Sequence, residues 1–252
     1  MPHPEFEEFV EITKRLRKEC PWDREQTHAS IRMGLIEEAY EVVESIDNND
    51  MPELRKELGD LLLQVVFHSN IAEETNAFTL NEVIEGITEK LIARHPHIFG
   101  TTEVSGSEHV KQNWEKLKMK EGRKSVMDGV PKELPALLRA SRLQDKAAKV
   151  GFDWQKKEEV WKKVNEEMDE LHAAIAENNP DHVEAEFGDV LFSLVNYSRF
   201  IHVNPEVALR LSVEKFINRF KYIEAKLKER GKEIHSASFE EMDKLWDEAK
   251  GK

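Results

Sequence analysis

The strongest constraint on how this chain can fold is an internal repeat in which acidic residues keep their register. Ile36-Glu37-Glu38-Ala39-Tyr40-Glu41 recurs 129 residues later as Asn165-Glu166-Glu167-Met168-Asp169-Glu170. Glu57-Leu58-Gly59-Asp60-Leu61-Leu62 recurs at the same offset as Glu186-Phe187-Gly188-Asp189-Val190-Leu191. Any two acidic amphipathic helices resemble each other, but ordered blocks with conserved gaps mark a duplicated unit. Weaker echoes follow: Trp22-Asp23 with Phe152-Asp153, Lys90 and Arg94 with Lys215 and Arg219, Trp114 and Lys118 with Trp246 and Lys250. Gly122, Gly129, Pro131 and Pro135 interrupt the periodicity, which places the two units at roughly 1–125 and 130–252.

Only 11 Gly and 9 Pro occur in 252 residues, and 35% of the residues are charged, so the expected fold class is all-α, a tandem of helical bundles. A formal charge of −13 without a segregated basic patch excludes nucleic acid as a partner. The most apolar run, Leu58 to Phe67, is broken by Gly59, Asp60 and Gln64, and the N-terminus is acidic, so neither a membrane span nor a signal peptide is expected. A single cysteine, Cys20, allows neither an intramolecular disulfide nor a thiolate zinc site and fits a reducing compartment, the cytoplasm.

The first acidic block lies on an amphipathic helix, with Leu35, Ala39, Val42, Val43 and Ile46 at helical spacing and Asp47-Asn48-Asn49 as its stop. Leu54 to about Ile71 forms the next helix, apolar nearly all round and so expected inside a bundle. Glu38 and Glu41 are three apart, as are Glu57 and Asp60, and a short antiparallel hairpin would bring the two pairs face to face. A third helix follows the capping box Thr79/Glu82 and carries Lys90 and Arg94; its counterpart starts at Asn204-Pro205 and carries Lys215 and Arg219. The Ser238/Glu241 box opens the last helix.

Four carboxylates gathered at the edge of an apolar helix pair repel one another and lose hydration, at several kcal/mol per uncompensated ion. Protein cations could offset this as salt bridges, but an all-oxygen set of paired carboxylates suits a hard divalent ion, Mg²⁺ with Mn²⁺ as a substitute. Two pairs per unit permit more than one ion. A di-iron bundle would require Glu-x-x-His on two helices; Asp169 with His172 has no acid/His counterpart at Tyr40 and Val43, so the redox reading falls. Magnesium held by few carboxylates completes its shell from water and substrate phosphates. Lys90/Arg94 and Lys215/Arg219 would then clamp phosphate oxygens, and Trp114 and Trp246 could stack on a base. The competing reading is a non-catalytic acidic helical module that binds nucleotide or a regulatory protein.

The duplicated EExxE and ExxD pattern, joined through Pro131-Lys132-Glu133-Leu134-Pro135-Ala136-Leu137 and Val150-Gly151-Phe152-Asp153-Trp154, resembles the two-domain MazG nucleoside triphosphate pyrophosphohydrolases. The resemblance covers almost the whole chain. It implies hydrolysis of nucleoside triphosphates to monophosphate and pyrophosphate, dependent on Mg²⁺, by a homodimer of helical units. Glu167, Glu170, Glu186 and Asp189 match the family's metal ligands, with Glu38, Glu41, Glu57 and Asp60 as their counterparts in the first unit. Lys163, Lys215, Arg219 and Trp246 match its nucleotide contacts, and Lys250, Lys90, Arg94, Trp114 and Lys118 occupy recurring positions. His182 stands where lysine is expected. The resemblance favours the C-terminal unit as the active one, with Glu166 or Glu167 orienting the attacking water.

Overall fold

The computed structural model describes residues 4–106, 109–110, 113 and 125–251, and among these every regular element is helical. Two compact units divide the chain, Met1–Ser107 and Glu108–Lys252, where the sequence pattern put its seam at 122–135. The first unit contains α1 (Pro4–Glu19), α2 (Pro21–Glu25), α3 (His28–Asp47), α4 (Met51–Glu74), α5 (Leu80–Arg94) and α6 (Pro96–Phe99). The second contains α7 (Ala136–Lys149), α8 (Lys157–Ala176), α9 (Pro180–Phe200), α10 (Pro205–Glu229), a 3₁₀ turn at Ile234–Ser236, and α11 (Phe239–Lys250). Among the described residues no helix is long and apolar enough to cross a membrane.

Local chemistry sets the helix ends. The Thr79 hydroxyl accepts from the Glu82 amide while the Glu82 carboxylate accepts from the Thr79 amide, the expected capping box of α5. Ser238 accepts from the Glu241 amide at the start of α11. Helix α4 begins before Leu54 because the Asp50 carboxylate accepts from the Glu53 amide and Pro52 sits in the first turn, where its missing N–H costs nothing.

In the first unit α3 pairs with α4, and α1 packs across α4; in the second α8 pairs with α9, α7 packs on α9, and α10 pairs with α11. Burial follows these contacts. Val66, Phe67, Ile71 and Ala72 in the C-terminal half of α4 are buried, as are Val160, Val164, Leu171 and Ala174 of α8 and Val190 and Val195 of α9. Ile223, Leu227 and Leu245 join α10 to α11 in a separate cluster. The N-terminal half of α4 departs from the expected bundle interior: Leu58 and Leu62 are 49% and 42% exposed, and Phe187 and Leu191 of α9 are open in the same way. The reason is the reach of α1, which engages only the far half of α4 through Thr13 with Asn70 and Arg17 with Glu74.

Arg17 is the buried joint of the first unit. Its guanidinium donates to both Glu74 oxygens, at 2.8 and 2.7 Å, and to the carbonyls of Asp23 and Gln26, so one side chain ties α1, α4 and the exit of α2. The second unit builds this joint with reversed polarity: Arg199 of α9 donates to Asp145 of α7 and to Asp153, each at 2.9 Å. Hydrogen bonds from Arg17 hold the Glu74 carboxyl below its ordinary pKa. A depressed carboxylate contributes stability that is complete above its unfolded pKa, about 4.3, and is lost as pH falls through the folded value. The melting-temperature gap between the wild type and Glu74→Gln is therefore expected to stay constant above pH 5 and to shrink below pH 4; a gap unchanged down to pH 3 would refute the linkage.

Candidate active site

Each set of acids is carried by a helical hairpin whose turn has the same chemistry. Asn49 and Asn178, at equivalent positions, adopt left-handed backbone with φ of 55° and 53°. Among residues with a side chain, Asn tolerates that conformation well. The next residue then caps the following helix, Asp50 through the Glu53 amide and Asn179 through the His182 amide. These tight reversals fix the register in which the acids of α3 and α8 meet those of α4 and α9.

In the first unit Glu38, Glu41 and Glu57 each place a carboxylate oxygen within 4.8 Å of the others; in the second, Glu167, Glu186 and Asp189 do so. The two triads are not the same selection from the repeat: Asp60 and Glu170 stand outside them. Glu170 nonetheless feels the cluster, since lost hydration raises its pKa first and the charge of Glu167 raises it further. Glu41 is raised as well, chiefly by the neighbouring Glu57 carboxyl. Glu57 and Glu167 are buried, at 3% and 7% exposure.

The protein cations beside the triads come from different helices. Lys56 of α4 lies 2.8 Å from both Glu53 and Glu57, whereas Lys163 of α8 lies 2.6 Å from Glu166 and 2.7 Å from Glu167. Gly34 occupies the repeat position of Lys163, and Ala185 that of Lys56. Where lysine was expected, the His182 imidazole bridges Glu177 at 2.9 Å and Glu186 at 3.2 Å, and these carboxylates, Glu177 foremost, raise its pKa.

The donor chemistry fits a divalent cation. The clusters are all oxygen, and in the first the buried Glu57 Oε2 has no hydrogen-bond partner. An unpaired buried carboxylate oxygen is costly, and a hard ion satisfies it.

The surroundings of the triads differ. The concavity at the first is lined by Glu41, Ser45, Asp50, Lys56 and other polar side chains. The second opens into a cavity of about 330 Å³ in which Lys163, Glu167 and Asp189 share the wall with Phe152, Trp154 and Phe192, and with Gln144, Ser193 and Asn196. At the first-unit counterparts of Ser193 and Asn196 stand Gln64 and Phe67. The Gln64 amide lies over Gly34, 3.1 Å from where a Cβ would be, and Phe67 is buried under the Arg17 guanidinium.

Lys215, Arg219 and Lys250 are gathered in another concavity, of about 510 Å³, which shares no lining residue with the acidic cavity. Trp246 packs against the Leu227–Leu245 cluster, with Phe216 at 5.2 Å and the Arg219 guanidinium 5.4 Å over its ring. Lys90 is exposed and Arg94 half-buried on α5, while Trp114 and Lys118 lie outside the described residues. Sequence reasoning missed Gln144, Ser193 and Asn196. A signal existed on α9: Asp189, Ser193 and Asn196 fall at i, i+4 and i+7, a polar line through its most apolar stretch, Val190 to Val195.

Two acidic helical hairpins in an all-α chain define an enzyme class with duplicated carboxylate sites. The family model described as the MazG nucleotide pyrophosphohydrolase domain matches residues 26–99 and 155–224, and the chain belongs to that family. It is 46% identical over 251 residues to the nucleoside triphosphate pyrophosphohydrolase/pyrophosphatase MazG of Thermotoga maritima, covering 98% of this chain and 96% of that one. It is 39% identical over 255 residues to the nucleoside triphosphate pyrophosphohydrolase of Escherichia coli K12, covering 98% and 97%. Among solved structures, a mazG-related protein from Thermotoga maritima aligns with a TM-score of 0.41 and 26% identity, over 45% of this chain and 98% of that one.

The hairpin turn makes a direct prediction. Asn178→Ala should cost about 1 kcal/mol, because a Cβ without a compensating side-chain amide is strained in left-handed backbone, while Asn178→Gly should be nearly neutral. Denaturant unfolding of the three proteins checks this, and equal midpoints for Ala and Asn would remove the turn from the account.

Proposed function

We propose that the chain hydrolyses nucleoside triphosphates, ribo- and deoxyribo-, to nucleoside monophosphate and pyrophosphate with Mg²⁺, Mn²⁺ substituting, and that it works as a homodimer in the cytoplasm in house-cleaning of the nucleotide pool. The second unit is the principal catalytic one. The observation that carries this reading is the aromatic-walled cavity beside Glu167 and Asp189, whose lining residues Ser193 and Asn196 are replaced at the first-unit positions by Gln64, which lies over Gly34, and Phe67. A triphosphate needs the acids; a nucleoside needs the cavity.

In this reading Glu167, Glu186 and Asp189 hold the ion, with Glu170 at its edge, and Glu38, Glu41 and Glu57, with Asp60 nearby, hold one in the first unit. When bound, the ion neutralises charge on the phosphate oxygens and lowers the pKa of the attacking water. Glu166, positioned by Lys163 at 2.6 Å, accepts that water's proton. Lys163 carries positive charge in the cavity wall, and His182 adds more beside Glu186 below its raised pKa. Lys215, Arg219 and Lys250 provide a second anion-binding surface. The open stripes Leu58, Leu62 and Val65 and Phe187, Leu191 and Leu194 support a dimer. Gly59 and Gly188 lie on these helices with nothing within 4 Å of a built Cβ. Glycine in a helix interior costs about 1 kcal/mol, and a second copy packed close would use the space.

Glu186→Gln should lower kcat/KM at least about a hundredfold, roughly 2.7 kcal/mol of transition-state stabilisation, while Glu57→Gln changes it less than about threefold. Monophosphate and pyrophosphate should appear in equal amounts, only with divalent ion present. Release of orthophosphate and diphosphate, or a larger effect at Glu57, would overturn the assignment. Light scattering should report twice the chain mass of 29.3 kDa; an active species at that mass alone would eliminate the dimer.

A further inference from the structure

The cavity of the second unit contains a polar group that neither the carboxylate chemistry nor the fold uses. Gln144 of α7 is buried at 7% exposure and lines the cavity. Its Nε2 donates to the carbonyl of Phe192 at 2.9 Å, while its Oε1 is buried without a hydrogen-bond partner. That orientation is fixed, because turning the amide over would set Oε1 against the Phe192 carbonyl. A buried acceptor left unpaired costs about 1–3 kcal/mol, so the cavity holds an acceptor in waiting. The groups near it are already assigned. The Ser193 hydroxyl donates to the Val190 carbonyl at 2.9 Å, and the Asn196 oxygen accepts from Arg199 at 2.6 Å, which leaves the Asn196 NH₂ as a donor.

We propose that Gln144 is a specificity-determining residue: its Oε1 accepts a hydrogen bond from an N–H on the pairing edge of the substrate's nucleobase, seated between Phe152, Trp154 and Phe192. The inference rests on the proposed function and extends it to how the base is read. Three observations meet. The cavity wall carries Glu167, Asp189 and Lys163, so the phosphate end of a nucleotide has partners there. The walls are aromatic, which suits a planar ring. The volume, about 330 Å³, is at the low end of the about 300–1,000 Å³ seen for small-molecule sites and so suits the nucleoside part alone. An apolar ring of the same shape without an N–H would leave Oε1 unpaired, and a site built around a hydrogen bond rejects such analogues strongly.

The test uses substrate pairs that differ at the donor: ATP against purine riboside triphosphate, which lacks the 6-amino group, and UTP against 3-methyluridine triphosphate, in which a methyl group replaces the N3–H. The wild type should favour the donor-bearing member by about tenfold or more in kcat/KM. Gln144→Leu should bring each pair to within about twofold, and the circular dichroism melt reports whether the variant folds. If it does not fold, the wild-type pairs alone decide. Calorimetric binding of AMP against purine riboside monophosphate separates the two layers of the argument. Preferential AMP binding without turnover of any triphosphate would keep the role of Gln144 and sink the hydrolytic reading. Turnover with both members of both pairs used equally would sink the role of Gln144 and leave the hydrolytic reading intact.

Discussion

Crowded carboxylates across a helical hairpin are the constraint to which the rest of the molecule answers. Like charges this close repel one another more strongly than in bulk water, and each hairpin holds three carboxylate oxygens within 4.8 Å of one another. No single hydrogen bond in the turn could oppose this. What does is packing distributed along the helices, Val160 and Val164 of α8 with Val190 and Val195 of α9, together with local charge compensation. Lys56 and Lys163 supply cations, His182 gains affinity for a proton, and Glu41 and Glu170 are pushed toward their neutral forms. A site that raises carboxyl pKa values in this way binds a divalent cation favourably, because the cation removes the repulsion the fold otherwise carries.

The two units reach this state by different local solutions. The joint between the first helix and the second acidic helix has Arg17 donating to Glu74 in one unit and Arg199 donating to Asp145 and Asp153 in the other. Which helix carries the guanidinium is immaterial to the packing; that a planar five-donor group spans several acceptors is not. The compensating lysine likewise moved from α4 to α8. Duplication preserved the acids at a fixed spacing while the groups that balance them were free to change helix.

This explains what the sequence made legible. Helices, hairpins and acid pairs were readable because they depend on local spacing: carboxylates three positions apart, the Asp47-Asn48-Asn49 stop, a capping box at Thr79 and Glu82. The choice of three acids from four was not, since whether Asp60 or Glu41 joins the triad depends on how two helices rotate against each other, which no one-dimensional pattern encodes. The cavity was still less accessible. Its wall draws Gln144 from α7, Phe152 and Trp154 from the loop after it, and Ser193 and Asn196 from α9, residues brought together only by the crossing of α7 on α9. Lys215, Arg219 and Lys250 line a concavity on α10 and α11 that shares no residue with the acidic cavity, a separation no spacing in the chain shows.

Three exchanged positions distinguish the two units in energetic terms. In the first unit Gly34, Gln64 and Phe67 occupy the places of Lys163, Ser193 and Asn196. Burying Phe67 contributes about 1.5–3 kcal/mol, and Gln64 lies over the space that glycine leaves. The second unit forgoes that filling. It keeps an open cavity and an unpaired amide oxygen on Gln144, each a cost to the folded state taken alone. The first unit has its own unpaired buried oxygen, Oε2 of Glu57, among the carboxylates, so the two copies of the repeat place their uncompensated polar groups differently, one at the acids and one in the wall of an open cavity.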